Sequence, residues 1–370
     1  MSGPLTLSPP EARRFHRRAV GLDAPLKNVD AVLARHGFVQ IDPINVCGRM
    51  HDLILRNRIA GYREDDLMRH LHGDSESPMP VGARTALEHH LPHSNNLAAM
   101  PLAAWPFLLA AMRRRTQGEG SWSGRLEPRE EAMAREILAE LKTRGPLSSA
   151  DFESEETVDH GWGAGASLAK ATLHKLFFHG RVLIARRRNQ RRYYDLPKRI
   201  LPPEILKLPE PTPEETACWI ALLKLRQARL TTLQKVEQPL VADFVQPITI
   251  PDCPPLFCLK EDLPLLDQLI EPSPAPLLLA PLDPLIYHRR VTERLWEFDY
   301  TWEVYTPPAR RQRGYYALPV LAGLEIVGHV DPKADRKLRK LVVVNRSLRR
   351  GFAAAPAVKD LARFLGLKTG

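Results

Sequence analysis

The sequence predicts an α+β chain: tandem winged helix-turn-helix modules closed by a small C-terminal β-barrel. Residues 128–196 read as three helices followed by a two-stranded basic hairpin, the element order of a winged helix. From residue 277 onward, short β-type runs alternate with Gly, Pro and Asp, as a small barrel requires. The prolines cluster at 201–213, 247–255 and 272–284, too densely for a helix interior or a central strand, and so mark joints between modules.

Taken in order, residues 8–20 and 27–36 place apolar side chains at helical spacing, and Val29, Val32 and Leu33 precede a helix-stopping Gly37. The period then changes. Over 38–43, Val39 and Ile41 face one way and Gln40 and Asp42 the other, because a strand sends residues i and i+2 to the same side. Residues 128–144 are helical by pattern, Gly145-Pro146 breaks the helix, 148–152 opens a short one and 168–178 forms the third. Strands are expected at 181–188 and 191–196, joined at Asn189-Gln190, and a helix returns at 214–226. The runs 277–280, 301–305, 315–321, 324–330 and 341–344 are the barrel strands, and 358–365 the closing helix. The chain therefore divides into a first winged-helix module at 1–120 with the Gln-X-Asp strand and a second at 121–205 with an Arg-rich wing. A third helical, winged-helix-like module at 206–270, a β-barrel at 271–345 and a C-terminal helix at 346–370 complete it.

With 44% hydrophobic and 26% charged residues the chain can bury real cores, which excludes a disordered polymer. Lysine and arginine exceed the acids, 53 to 43, and the formal charge of +10 favours a polyanionic partner. Four scattered cysteines do not make a disulfide framework and suit a reducing compartment. No apolar run reaches spanning length, and Glu11, Arg13 and Arg14 stand where a signal peptide needs an apolar core, so no membrane partner and a cytoplasmic, nucleoid-associated location are expected.

The charge has a focus. Arg181, Arg186, Arg187, Arg188, Arg191 and Arg192 fall within twelve positions that contain no acid, and Tyr193 and Tyr194 follow. Lys170, His174 and Lys175 occupy the polar side of the preceding helix, opposite Leu168, Leu173 and Leu176. A wing of this kind can simply be solvated surface, but charge and motif coincide, and the nine residues are expected to bind DNA phosphates. His89 and His93 have the i, i+4 spacing of helical zinc ligands, yet His90 stands where a metalloprotease has glutamate and Pro92 interrupts a helix, so no metal is expected. Nor is there a Walker A loop, a dinucleotide fingerprint or a nucleophile elbow, and no cofactor is expected.

Gln40 and Asp42 put a carboxamide and a carboxylate on one strand face; alone, such alternation usually marks the wet side of a sheet. The stretch Phe38-Val-Gln-Ile-Asp-Pro-Ile-Asn-Val-Cys-Gly-Arg-Met-His51 resembles the Gln-X-Asp motif segment of the YcaQ/AlkZ family of DNA glycosylases. Pro281-Leu-Asp-Pro-Leu-Ile286, Phe298-Asp-Tyr300, Glu303-Val-Tyr305, Gly314-Tyr-Tyr-Ala-Leu-Pro319 and Lys333-Ala-Asp-Arg-Lys337 look like the same family's C-terminal barrel, in the right order. Glu88 and His93 match its Glu-to-His segment with altered spacing. The resemblance implies tandem winged helices, excision of alkylated bases, unhooking of interstrand crosslinks, and a catalytic pair in Gln40 and Asp42. On that basis the chain is expected to be a monofunctional, monomeric glycosylase acting on double-stranded DNA with alkylated or crosslinked purines. Asp42 would be the general base and Gln40 would orient the water. A non-catalytic winged-helix regulator would use the same basic hairpin but has no need of the polar pair. A nucleoside hydrolase would use the pair but has no need of the basic wing.

Overall fold

A computed structural model describes residues 3–74, 79–153, 156–159, 165–188, 191–268 and 270–370. The Asn189-Gln190 turn expected between the basic strands lies outside them. The protein is a mixed α/β chain with two compact units, one made of Met1–Asp66 with Ala217–Gly370 and the other of Leu67–Thr216. Those limits cut through the stretch 1–120 that the sequence suggests as one module.

In the discontinuous unit, the helix Pro9–Ala19 starts at a Ser8/Glu11 capping box, the Ser8 amide donating to Glu11 Oε2 at 2.8 Å. The helix Val29–His36 is capped by Asn28, whose Oδ1 accepts from the Ala31 amide at 3.0 Å. It ends at Gly37, which has φ +76° and would bring a Cβ to 2.5 Å from Leu223 Cδ1, so only glycine closes this helix without strain. The strand expected over 38–43 is reduced to Val39–Gln40. Asp42 leaves the extended path because its side chain turns back onto the Ile44 amide and Pro43 has no amide to offer a ladder.

Leu5–Thr6, Val245–Thr249, Leu256–Leu259 and Leu230–Thr231 form a four-stranded sheet in that order. Residues 206–270 thus supply strands as well as the helix Pro213–Ala228. The C-terminal sheet runs Leu277–Leu278, Leu318–Ala322, Glu325–Asp335, Lys340–Leu348, Lys368–Thr369, antiparallel except for the last pair. It is a curled half-barrel with two edges rather than a closed barrel. The expected strand at 301–305 is instead a 3₁₀ turn, Glu303–Tyr305. Its Glu303 carboxylate accepts the amides of Gln312, Arg313 and Gly314 at 2.8–3.0 Å, which ties it to a loop and not to a ladder. The closing helix is Ala355–Phe364.

Two clusters join the ends of the sequence inside this unit. One packs Leu7 and Phe15 with Ile248, Leu285, Trp296 and Leu321; the other packs Cys47, Met50, Leu53 and Ile54 with Leu318, Val320, Val330 and Leu361. Between helix and sheet, the fully buried Arg58 grips Asp283 with two hydrogen bonds of 2.8 and 2.7 Å and directs its remaining donors to the Val20 and Ile54 carbonyls. Two charges removed from water this way are tolerated because every polar atom of the guanidinium finds a partner.

The continuous unit holds the hairpin Ala86–His90/Leu97–Pro101 and the helices Trp105–Gln117, Pro128–Arg144 and Leu168–Phe178. The 3₁₀ turn Ser149–Asp151 and the hairpin Leu183–Arg188/Arg191–Asp195 also belong to it. Its histidines at 89 and 90 lie on a strand, so the helical i, i+4 pairing does not arise; the Phe177 carbonyl accepts from His89 Nε2 at 2.8 Å, and the His90 ring stacks on Phe178. Among the described residues, no helix is long and apolar enough to cross a membrane.

Candidate active site

Gln40 and Asp42 are buried to similar depths, 9% and 8% exposed, and Phe38, Val39 and Ile41 are buried as well. The wet-face reading therefore does not describe this segment. Asp42 Oδ1 accepts the Ile44 amide at 2.9 Å, an Asx turn that fixes the side-chain rotamer. A carboxylate has about four acceptor positions, so this single bond holds the group without consuming it. Burial pushes its pKa above the ordinary aspartate range, with the Ile44 amide pulling the other way. A carboxylate made more basic by partial desolvation is the arrangement a general base needs.

The loop after Asp42 is pinned to the C-terminal sheet. The Val46 carbonyl accepts from the Ala334 amide at 2.9 Å, Arg336 reaches Asn45 Oδ1 at 3.1 Å, and the Leu282 amide points at Met50 Sδ at 3.4 Å. Residues 281–286 and 333–337, which the sequence singles out only by resemblance, thus act through packing: Asp283 holds Arg58, and the 333–337 segment carries the groups that meet the Asp42 loop. The Gly314–Tyr316 stretch is clamped in turn by Asp331, which accepts the Tyr315 and Tyr316 amides at 3.0 Å each. Gly314 has φ +128°, and a Cβ there would run into the Asp331 carboxylate.

Asp52 is another perturbed carboxyl of this unit. Burial pushes it up to about 7, against the hydrogen bond donated by the Tyr62 hydroxyl at 2.7 Å. It is fully buried. Tyr316 was legible only as part of a motif. It is a buried tyrosine whose hydroxyl lacks a hydrogen-bond partner among the described residues, a property no spacing rule reveals.

The nine basic residues all lie in the continuous unit and separate into two groups. Lys170, Arg181, Arg188 and Arg191 are exposed, and Arg188 faces Arg191 across the hairpin. Arg186 covers the Tyr193 ring at 4.2 Å. Lys170, His174, Arg191 and Arg192 line a cavity of about 360 Å³ together with Ser149 and Tyr194. Lys175 and Arg187 have other partners than the phosphates expected for them. Lys175 is buried, with Nζ on Glu130 at 2.6 Å and on the Arg125 carbonyl at 3.0 Å. Arg187 is committed to the buried Glu88, its Nε 3.1 Å from Oε2, and Glu88 also meets His72 Nε2 at 2.8 Å. Although burial works upward, Arg187 and His72 together hold Glu88 well below its usual range. Helical periodicity placed Lys175 on a polar face and an acid-free run singled out Arg187; a buried carboxylate elsewhere in the sequence drew each one in.

A family model described as "DNA glycosylase AlkZ-like" matches residues 33–365. Among solved structures, the DNA glycosylase AlkZ of Streptomyces sahachiroi is similar to this chain with a TM-score of 0.61 and 16% sequence identity, covering 99% of this chain and 100% of that one. The second likeness establishes a shared fold.

Proposed function

Because the chain belongs to the AlkZ-like DNA glycosylase family and is therefore a DNA repair enzyme that cleaves N-glycosidic bonds, we propose that it acts on cationic N7-alkylated purines of double-stranded DNA, crosslinked ones included, with Asp42 as general base. The observation that carries this reading is the Asp42 carboxylate, locked by the Ile44 amide two residues after Gln40 and raised by burial. Water attacks C1′ as the C1′–N9 bond breaks; the bond's electron pair leaves with the purine, and Asp42 takes the water's proton while Gln40 orients that water. Positive charge on the sugar in the transition state is stabilised by the same carboxylate. An N7-alkylated purine is already cationic and departs neutral, so no protonated partner is required. Unmodified bases, being poor leaving groups, are spared.

A base tied to the opposite strand cannot swing fully out of the helix, so crosslink unhooking calls for recognition within the duplex. The order helix, 3₁₀ turn, helix, basic hairpin in the continuous unit supports a winged-helix reading of that unit, and its exposed Lys170, Arg181, Arg188 and Arg191 suit the phosphate backbone. In this reading the enzyme works as a monomer on chromosomal DNA. The family assignment decides against a non-catalytic regulator.

Duplexes carrying N7-methylguanine, an N7-linked interstrand crosslink, or uracil test the substrate class. Base release from the first two, dependent on Asp42, is the expected result; Asp42-dependent release of uracil at a comparable rate would overturn leaving-group charge as the selector. Phosphate binding is tested separately by Lys170→Ala with Arg191→Ala. The slope of log affinity against log salt should fall by about 0.9 for each phosphate that the variant no longer neutralises, on lesion and plain duplex alike. An unchanged slope would place this cavity away from DNA. Arg187 is unsuitable for that test, since its removal strands Glu88 in the interior.

A further inference from the structure

Tyr316 is completely buried, yet its hydroxyl has no hydrogen-bond partner among the described residues. Phenylalanine would fill the same space without leaving a polar atom unpaired, so the oxygen calls for an explanation. The residue is firmly placed. Asp331 Oδ1 holds its amide at 3.0 Å, and its ring meets Trp302 edge-on with centroids 6.0 Å apart. It shares one core cluster with Cys47, against which Ile44 and Val46 also pack, two and four residues after Asp42. The backbone bond from Ala334 to Val46 fastens that loop to the strand Glu325–Asp335, which also carries Asp331. Tyr316 and the Asp42 turn are therefore anchored to the same strand.

Burial drives the Tyr316 hydroxyl well above the ordinary tyrosine range, and the negative charge of Asp42 pushes the same way. The hydroxyl thus stays protonated and remains a donor. Of the other groups that face it, burial also keeps Cys47 and Tyr300 protonated, Tyr315 adds a second phenol, and Asp331 is committed to two backbone amides. His329, in the same strand as Asp331, is held low by burial. Asp42, with one accepted bond, keeps most of its acceptor positions open.

We propose that Tyr316 is a positioning residue for the glycosylase reaction, its hydroxyl donating a hydrogen bond to the Asp42 carboxylate through the water that Asp42 activates. This rests on the reading of Asp42 as general base.

The decisive measurement needs no activity. The Asp42 carboxyl carbon is titrated by ¹³C NMR in the wild-type chain and in Tyr316→Phe, its signal identified by loss in Asp42→Asn. Removing the donor should raise the Asp42 midpoint by about one pH unit, because the anion loses a hydrogen bond. In single-turnover excision of N7-methylguanine, the acid limb should move up equally, and the plateau rate should fall about tenfold. If Tyr316→Phe does not fold, biosynthetic 3-fluorotyrosine supplies a stronger donor and should lower the midpoint. An Asp42 midpoint unmoved by either change overturns the proposal. A shifted midpoint in a wild-type protein that releases no base overturns the substrate reading and leaves the pairing standing.

Discussion

Asp42→Asn should leave the fold and duplex affinity nearly intact while lowering base excision on the order of a hundredfold or more, as loss of a general base does. The substitution is nearly isosteric, and an asparagine Oδ1 can still accept the Ile44 amide, so the turn that shapes the loop survives. What disappears is the negative charge that stabilises the sugar cation and the basicity that takes the proton. Single-turnover release of N7-methylguanine, measured beside duplex binding and thermal unfolding, separates the two effects. Equal turnover by variant and wild type would remove Asp42 from the mechanism; equal loss of turnover and of folded protein would make it structural. Gln40→Ala should cost less, because bulk water can still reach the site without being oriented.

The largest expected effect on stability is Asp283→Ala. It would leave the Arg58 guanidinium buried with its anion gone, and breaking a buried pair from one side costs about 3–5 kcal/mol. Arg58 and Asp283 are both completely inaccessible and are joined by two short bonds. Urea unfolding should therefore show a much lower midpoint for Asp283→Ala. The double replacement Arg58→Met with Asp283→Leu should recover much of the loss, since an apolar pair leaves no stranded charge. A single variant as stable as the wild type would mean that the pair contributes nothing to holding the helices and the C-terminal sheet together.

The helices at 9–19, 29–36, 128–144, 168–178, 213–228 and 355–364 were visible in the sequence, because each combines an apolar stripe at helical spacing with a local stop or start such as Ser8, Gly37 or Gly145. Such signals reside within one or two turns of chain and need no partner. Short strands were harder. The helix-like histidine spacing of 86–93 conceals a hairpin, and the alternation at 301–305 ends in a 3₁₀ turn, because the deciding bonds come from residues 97–101 and 312–314.

The chemical candidates followed the same division. Gln40 and Asp42 could be read from residue types, spacing and resemblance, since side-chain chemistry is written in the chain itself. Their environment could not. That Asp42 is turned onto Ile44, that its loop is fastened to residue 334, and that Tyr316 lies in the same packed cluster all depend on packing between segments nearly 300 positions apart. Likewise, composition identified nine cations, but only the fold showed that Lys175 and Arg187 serve Glu130 and Glu88. Sequence determined which charges and hydrogen-bonding groups exist and which local segments could form. Tertiary structure decided which of them meet, because the cost of burying a charge depends on the partner waiting in the interior, and that partner stands far away in the chain.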